Sequence, residues 1–144
     1  MNKHRSALEE ALKILKIAET SESKLKEHLV RKGYSQREIT EAISFLKKNN
    51  LLDDERFAEI LIDKYIRKNK GINYIYRILS GKAIPESIIS NTLARLYPES
   101  LEYNKAKELI ALQKKPLNKV LINLVSAGFS ETTIRKIMEE FSEK

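Results

Sequence analysis

The stretch KLKEHLVRKGYSQREITEAISFL, residues 24–46, recurs twice along the chain in altered form. Its counterparts are YIYRILSGKAIPESIISNTLARL at residues 74–96 and KVLINLVSAGFSETTIRKIMEEF at residues 119–141, and the three align without gaps. The apolar columns are Leu25, Ile75 and Val120; Leu29, Leu79 and Leu124; Ile39, Ile89 and Ile134; Ile43, Leu93 and Met138; Leu46, Leu96 and Phe141. Apolar residues spaced in this way have the period of an α-helix, so the alignment indicates a helical internal repeat.

A turn column separates two helices in every copy and holds Gly33, Ala83 and Gly128. Glycine adopts positive φ easily, which suits the position that ends a helix. Two residues after Gly33, Ser35 and Glu38 match the S-x-x-E capping box, in which each side chain satisfies a free backbone N–H. In the third copy Ser130 keeps the capping residue, but Thr133 replaces the glutamate. These signals predict a helix–tight turn–helix unit.

Another amphipathic stretch precedes each copy, at residues 7–18, 57–66 and 101–112. Asp53 suits a helix N-cap, and Pro98 and Pro116 suit the first position of a helix. One unit is therefore three helices, and the chain is nine. We predict an all-α protein of three tandem three-helix repeats, at residues 1–52, 53–97 and 98–144, packed into an elongated, curved array.

Composition and charge indicate the cell compartment and the kinds of partner that we expect. The 144 residues contain no cysteine, which favours a reducing compartment. No apolar run approaches the ~20 residues that span a bilayer, and the N-terminus lacks a signal-peptide pattern, so we expect a cytoplasmic protein without membrane association. The net charge of +7 indicates either a polyanionic partner, such as nucleic acid or an acidic protein surface, or simply a lysine-rich solvated surface.

Few residues are suited to catalysis. The two histidines, His4 and His28, lie in different predicted helices, and neither has a second metal ligand at zinc spacing. The acidic run Asp53-Asp54-Glu55 directly precedes an amphipathic helix and no phosphate-binding loop is present, which favours helix capping over magnesium binding. We expect no metal, no cofactor and no enzymatic activity.

Basic residues are the candidate binding groups. Lys64, Arg67 and Lys68 lie three and four residues apart and form one stripe on the fourth predicted helix. Lys70 and Arg77 extend this positive region. Further basic groups are Arg31, Lys32 and Arg37 around the first glycine turn, and Lys114, Lys115 and Lys119. Such charges add affinity for phosphate. Basic residues at helix C-termini also complement the helix dipole, so an ordinary solvated face remains an alternative interpretation.

The segment LLDDERFA, residues 51–58, follows a helix–turn–helix with Lys32-Gly33-Tyr34 and resembles the RecX family, bacterial regulators of the recombinase RecA. The resemblance covers roughly residues 7–141. A second family element is present in altered form as Lys70-Gly71-Ile72 with Ile75, Leu79 and Lys82-Ala83-Ile84, where Ala83 replaces the usual glycine.

The resemblance implies an all-helical array that is not an enzyme. It implies binding to RecA or in the groove of the RecA–DNA filament, with inhibition of the recombinase and co-protease activities, and direct DNA contact is also implied. We expect the motif to be mainly structural. Leu51, Leu52, Phe57 and Ala58 would pack between repeats, Asp53 or Asp54 would cap a helix, and Arg56 completes the motif.

Two other functions remain open. A basic helix–turn–helix protein could bind DNA through a major groove, but the second helix of the first pair balances Arg37 against Glu38 and Glu41, which argues against base readout. A helical scaffold for protein interactions, without nucleic acid, is the third possibility. In each case we expect a monomer.

Overall fold

The computed structural model describes residues 5–142, and in this part of the chain it contains nine α-helices and no strand. The helices are α1 (Ala7–Ile17), α2 (Glu22–Arg31), α3 (Gln36–Lys48), α4 (Asp54–Arg67), α5 (Ile72–Gly81), α6 (Glu86–Leu96), α7 (Glu99–Leu112), α8 (Leu117–Ser126) and α9 (Glu131–Ser142). The predicted all-α class is confirmed. His4 lies outside the described residues. No described helix is long and apolar enough to cross a membrane.

The helices pack in threes, and each set of three has its own apolar core. The main contacts are among α1–α3, among α4–α6 and among α7–α9, which we call the first, second and third repeat. Leu25, Leu29 and Leu46 are buried in the first core, Ile75 and Leu79 in the second, and Val120 and Leu124 in the third. The residue boundaries at 52/53 and 97/98 stay a prediction, although Leu52 packs into the first core and Phe57 into the second.

The turn column has the same geometry in all three repeats. Gly33, Ala83 and Gly128 all have positive φ, of 93°, 61° and 88°. In each case the N–H of the turn residue and the next N–H donate back to carbonyls of the preceding helix; in the second repeat these bonds are Ala83 to Ser80 and Ile84 to Leu79. Replacement of glycine by Ala83 therefore leaves the turn intact.

Helix starts follow the sequence signals with one shift. Ser35 and Glu38 form the predicted capping box at the start of α3. Pro98 and Pro116 stand at the N-cap rather than at the first helical position, so α7 and α8 begin one residue later than predicted. This difference is small because proline's fixed φ is compatible with either position at a helix start.

One apolar column reaches the core in the first two repeats but not in the third. Met138 is 51% exposed, whereas Ile137, one residue earlier, is fully buried. One residue corresponds to about 100° of rotation around a helix axis. Helix α9 is thus turned relative to α3 and α6, whose residues in the same column, Ile43 and Leu93, are buried.

A hydrogen-bonded junction joins the second and third repeats. The N–H groups of Gly71 and Asn73, at the start of α5, donate to the carbonyls of Ala127 and Gly128 at 2.9 and 2.8 Å. The Ile72 N–H between them donates to the Glu102 carboxylate of α7 at 2.8 Å. The first N–H groups of a helix have no partner within it. The third repeat supplies these partners.

The junction between the first and second repeats has the same plan with different groups. The Ser21 hydroxyl, at the N-cap of α2, donates to the Lys82 carbonyl at 2.5 Å. The Glu22 N–H donates to the Asp54 carboxylate at 2.9 Å. Asp54 and Glu102 occupy equivalent places in α4 and α7, each one turn before a fully buried alanine, Ala58 or Ala106. A carboxylate from the first helix of a repeat thus caps the second helix of the repeat before it.

Candidate partner-binding surface

Two tyrosines lie at the centre of the predicted basic region. Tyr65 in the last turns of α4 and Tyr74 in the first turn of α5 have ring centroids 5.5 Å apart, with the ring planes tilted by 55°. Both side chains are half-buried. This spacing and tilt are favourable for an aromatic pair.

Four cations surround the tyrosine pair. The Lys64 and Lys68 ammonium groups lie 5.3 and 5.8 Å from the centre of the Tyr65 ring. The Lys70 ammonium lies 4.7 Å and the Arg77 guanidinium 5.9 Å from the centre of the Tyr74 ring. Cations at this distance are attracted by the negative face of the ring. We call these six residues the basic tyrosine surface: Lys64, Tyr65, Lys68, Lys70, Tyr74 and Arg77.

The positive charge of this surface is not neutralised by described carboxylates. Seven of the chain's arginines form an ion pair with a described Asp or Glu, and Arg77 is the exception. Lys64, Lys68 and Lys70 likewise have no described acidic partner within 4.0 Å. Arg67 points to Asp63 instead, at 3.1 Å, and is exposed at the edge of the surface. Four unpaired cations in one place can attract an anionic partner.

The turn between α4 and α5 brings the two tyrosines together. Asn69 has a φ of +63°, a conformation that asparagine tolerates at the end of a helix, and the Lys70 N–H donates to the Tyr65 carbonyl at 2.9 Å. The hydroxyl of buried Tyr97 donates to the Lys70 carbonyl at 3.0 Å. Burial, with a contribution from the negative charge of Glu102, raises the pKa of Tyr97, so its phenol stays protonated and keeps this bond.

The other predicted binding residues lie outside the basic tyrosine surface. Arg31 and Lys32 are at the C-terminus of α2 in the first repeat, where both are exposed and Arg31 pairs weakly with Glu27 at 3.8 Å. The structure therefore brings together Lys64, Lys68, Lys70 and Arg77. It leaves Arg31 and Lys32 as a separate group.

The LLDDERFA segment divides between two cores. Leu52 is 3% exposed in the core of the first repeat, and Phe57 and Ala58 are buried in that of the second. The expectation that these four apolar residues pack between repeats is wrong, since Leu51 is 43% exposed and the other three pack within the core of a single repeat. The reason for the exposure of Leu51 is local, since Asn50, directly after the C-cap of α3, has a φ of +59° and the chain then turns Leu52 inward in place of Leu51.

The polar residues of this segment hold the first junction. Asp53 caps α4, accepting from the Arg56 N–H at 3.1 Å, while Asp54 accepts across the junction from Glu22. Burial raises the pKa of Asp54, although the Glu22 N–H opposes this. Arg56 donates to the Asn50 carbonyl at 2.8 Å and lies 3.5 Å from the Glu19 carboxylate.

Tyr65 and Glu102 organise this region but were not among the residues predicted from the sequence. The signal for the tyrosines was present in the spacing, since Tyr65 lies three residues before Lys68, and Tyr74 three before Arg77. For Glu102 no local signal exists. It is fully buried and accepts hydrogen bonds from two backbone N–H groups and two hydroxyls: Ile72, Ser130 (both groups) and Thr133.

The chemistry of the surface is that of binding. Ammonium, guanidinium and phenol groups can hold anions by charge-assisted hydrogen bonds. No cluster of three or more His, Cys, Asp or Glu residues that could hold a metal ion is present in residues 5–142.

Comparison with known proteins gives a consistent result. A family model described as "RecX, first three-helix domain" matches residues 7–46. The regulatory protein RecX of Prosthecochloris aestuarii is 31% identical over 148 residues, covering 94% of this chain and 93% of the relative. The regulatory protein RecX of Clostridium perfringens (strain SM101 / Type A) is 29% identical over 142 residues, and there the match spans 92% of this chain but only 66% of the relative.

Solved structures show the same fold. The crystal structure of RecX from Lactobacillus salivarius has a TM-score of 0.73 and 25% identity, and the match covers 96% of both chains. The relatives are named as regulatory proteins, and on this ground the prediction of a regulator rather than an enzyme is confirmed.

Proposed function

Since this chain belongs to the RecX family of regulatory proteins, we propose that it binds RecA, or the filament that RecA forms on DNA, and inhibits its recombinase and co-protease activities. The observation that carries a binding role is the basic tyrosine surface. Its four cations are held in place by two rings and have no described acidic partner. Both RecA and a DNA backbone can present the negative charge that such a surface attracts.

Preorganisation is the physical reason why this surface suits binding. A lysine that is free in solvent loses side-chain entropy when it contacts a partner. Lys64, Lys68 and Lys70 already lie over tyrosine rings in the unbound protein. Less entropy is then lost in the complex, and the unpaired charges also speed the encounter with an anionic partner.

Charge reversal tests this proposal. The variant K64E/R67E/K68E should need on the order of ten- to a hundredfold more protein to inhibit the ATPase of RecA on single-stranded DNA, because it replaces attraction by repulsion at three positions. The control is K114E/K115E/K119E, which changes the net charge equally at exposed residues outside the surface. Equal inhibition by the two variants would contradict the proposal.

Direct nucleic-acid contact is a second candidate function, and the same unpaired cations favour it. A titration of single-stranded DNA without RecA separates the two. If the four cations contact phosphates, log K should fall with log salt with a slope of about −3. Weak, salt-insensitive DNA binding together with strong ATPase inhibition would leave RecA protein as the target.

A further inference from the structure

The turn between α8 and α9 presses against the basic tyrosine surface. Gly128 lies in this turn, in the third repeat, and the Asn73 N–H donates to its carbonyl at 2.8 Å. A Cβ atom at Gly128 would lie 2.5 Å from both the Cβ and the backbone nitrogen of Tyr74. No real Cβ tolerates such a distance from backbone atoms, so this approach needs glycine.

Backbone conformation alone does not require glycine in this column. Ala83 occupies the equivalent place in the second repeat with a φ of +61°. Gly33 occupies it in the first repeat with a φ of +93°, and a Cβ there would meet nothing within 4 Å. The three repeats thus separate two effects of an added methyl group. At Gly33 it would cause only backbone strain, and at Gly128 it would also displace Tyr74.

Tyr74 connects this contact to the cations. Its ring lies under Lys70 and Arg77 and against the ring of Tyr65, which in turn holds Lys64 and Lys68. We propose that Gly128 is a positioning residue for the basic tyrosine surface, so that the third repeat completes a binding surface whose cations all belong to the second. The link to RecA inhibition rests on the proposed function, whereas the positioning of Tyr74 does not.

The test compares Gly128→Ala with Gly33→Ala as its matched control. Both add one methyl group at positive φ and so carry a similar backbone strain, whereas Gly128→Ala also loses stability through the contact with Tyr74. Only Gly128→Ala should weaken RecA inhibition, roughly five- to thirtyfold, the change expected when two cation–π contacts are misplaced. Equal inhibition by the two variants at matched folded concentration overturns the proposal if the charge-reversal variant K64E/R67E/K68E does lose inhibition.

Substitution of Tyr74 shows whether the effect passes through its ring. Tyr74→Phe keeps the aromatic face and should inhibit nearly as well as the wild type, while Tyr74→Leu should lose as much as Gly128→Ala. The double variant G128A/Y74L should be no weaker than Y74L alone, because both changes act through one group. Additive losses would overturn the proposal, since they would mean that Gly128 acts elsewhere.

A measurement without RecA keeps the two proposals distinguishable. In the protein with isotope-labelled tyrosine, the ring signals of Tyr65 and Tyr74 should shift in Gly128→Ala and stay in place in Gly33→Ala. Unshifted ring signals in Gly128→Ala overturn the positioning role whatever RecA does. Shifted ring signals in Gly128→Ala support the positioning role. If, in addition, no variant, the charge-reversal variant included, changes the inhibition of the RecA ATPase, only the proposed function is overturned.

Discussion

Glu102 shows how a buried charge is stabilised in this protein. It is fully buried, and each carboxylate oxygen accepts two hydrogen bonds. Two of these come from backbone N–H groups at the starts of α5 and α9, where the helix dipole also favours a negative charge. The residue therefore compensates its own desolvation while satisfying helix ends that belong to two repeats.

Removal of this side chain should be costly. Glu102→Ala leaves two buried N–H groups unpaired and should lower the free energy of unfolding by about 3 kcal/mol or more. Glu102→Gln should cost less, because its single oxygen can accept both N–H groups while the hydroxyls of Ser130 and Thr133 turn to accept from the amide. Urea unfolding followed by circular dichroism measures both.

The control for this experiment is Glu108→Ala, at an exposed position of the same helix. Its effect should stay within about 0.5 kcal/mol of zero. A Glu102→Ala protein as stable as Glu108→Ala would show that water replaces the carboxylate without loss.

Glu10 should make the stability of the protein depend on pH. Its carboxylate is 3.0 Å from the His28 ring nitrogen and 3.2 Å from Arg5, and these bonds, His28 first, lower the pKa of Glu10 below its ordinary 4.5 despite burial. A lowered folded pKa stabilises the protein above the unfolded value, and this stability is lost as pH falls through the folded value. Wild type should therefore exceed Glu10→Gln in stability at pH 6 and lose that advantage towards pH 3.

Urea unfolding of both proteins across this pH range measures the difference. Glu9→Gln, on the exposed side of the same helix, keeps an oxygen that can accept the Ser6 N–H and serves as control. If the free energy of unfolding of the wild type exceeds that of Glu10→Gln by a constant amount down to pH 3, the lowered pKa of Glu10 is not the source of the stability.

Helix starts are the elements that connect the repeats. Helix α4 begins at a cap made by Asp53, while its next residue, Asp54, reaches back to α2. Two adjacent aspartates thus perform different tasks, one within the helix and one across the junction.

The capping task can be tested separately. Asp53→Ala should lower the free energy of unfolding by about 1 kcal/mol, the usual cost of a lost N-cap, whereas Asp53→Asn should retain most of the stability because its oxygen still accepts the Arg56 N–H. Thermal or urea unfolding measures the stability of both variants. If Asn is as damaging as Ala, the charge of Asp53 matters more than its hydrogen bond.

At the scale of the whole molecule the two junctions are held by different kinds of contact. The second and third repeats are joined by backbone–backbone hydrogen bonds and a fully buried carboxylate. The first and second repeats are joined through side chains beside an open cleft of about 460 Å³, whose lining includes Glu22, Lys47 and Asp54. Opening is easier where fewer buried contacts must break. We expect the first repeat to move relative to a stiffer unit of the other two.

Amide hydrogen exchange tests this expectation. The N–H groups of Gly71 and Asn73 should exchange more slowly than that of Glu22, because they are released only when the second junction opens. Comparison within one sample controls for temperature and pH. Faster exchange of the Asn73 N–H than of the Glu22 N–H would mean that the second junction opens more easily than the first, contrary to this expectation.

Most of the helical architecture could be predicted without the structure. Helix periodicity, the turn column and the capping box are set by residues within four positions of each other, and such local signals are visible in one sequence. Thus Gly33, Ser35 and Glu38 alone predicted the first turn, and the LLDDERFA segment pointed to the family. The cations Lys64 and Lys68 could also be placed on one face, because a stripe on one helix is local, while their role in binding stays a prediction.

Only the tertiary structure decided how these local units meet. Leu51 and Met138 fit apolar patterns, yet their exposure depends on how the chain leaves α3 and how α9 is turned about its axis. The contacts of Tyr74 with Gly128 and of Glu102 with Ile72 join residues far apart in the chain. Such contacts exist only once whole repeats have docked, since their distances depend on the orientation of one repeat against the next rather than on the spacing of residues along a helix.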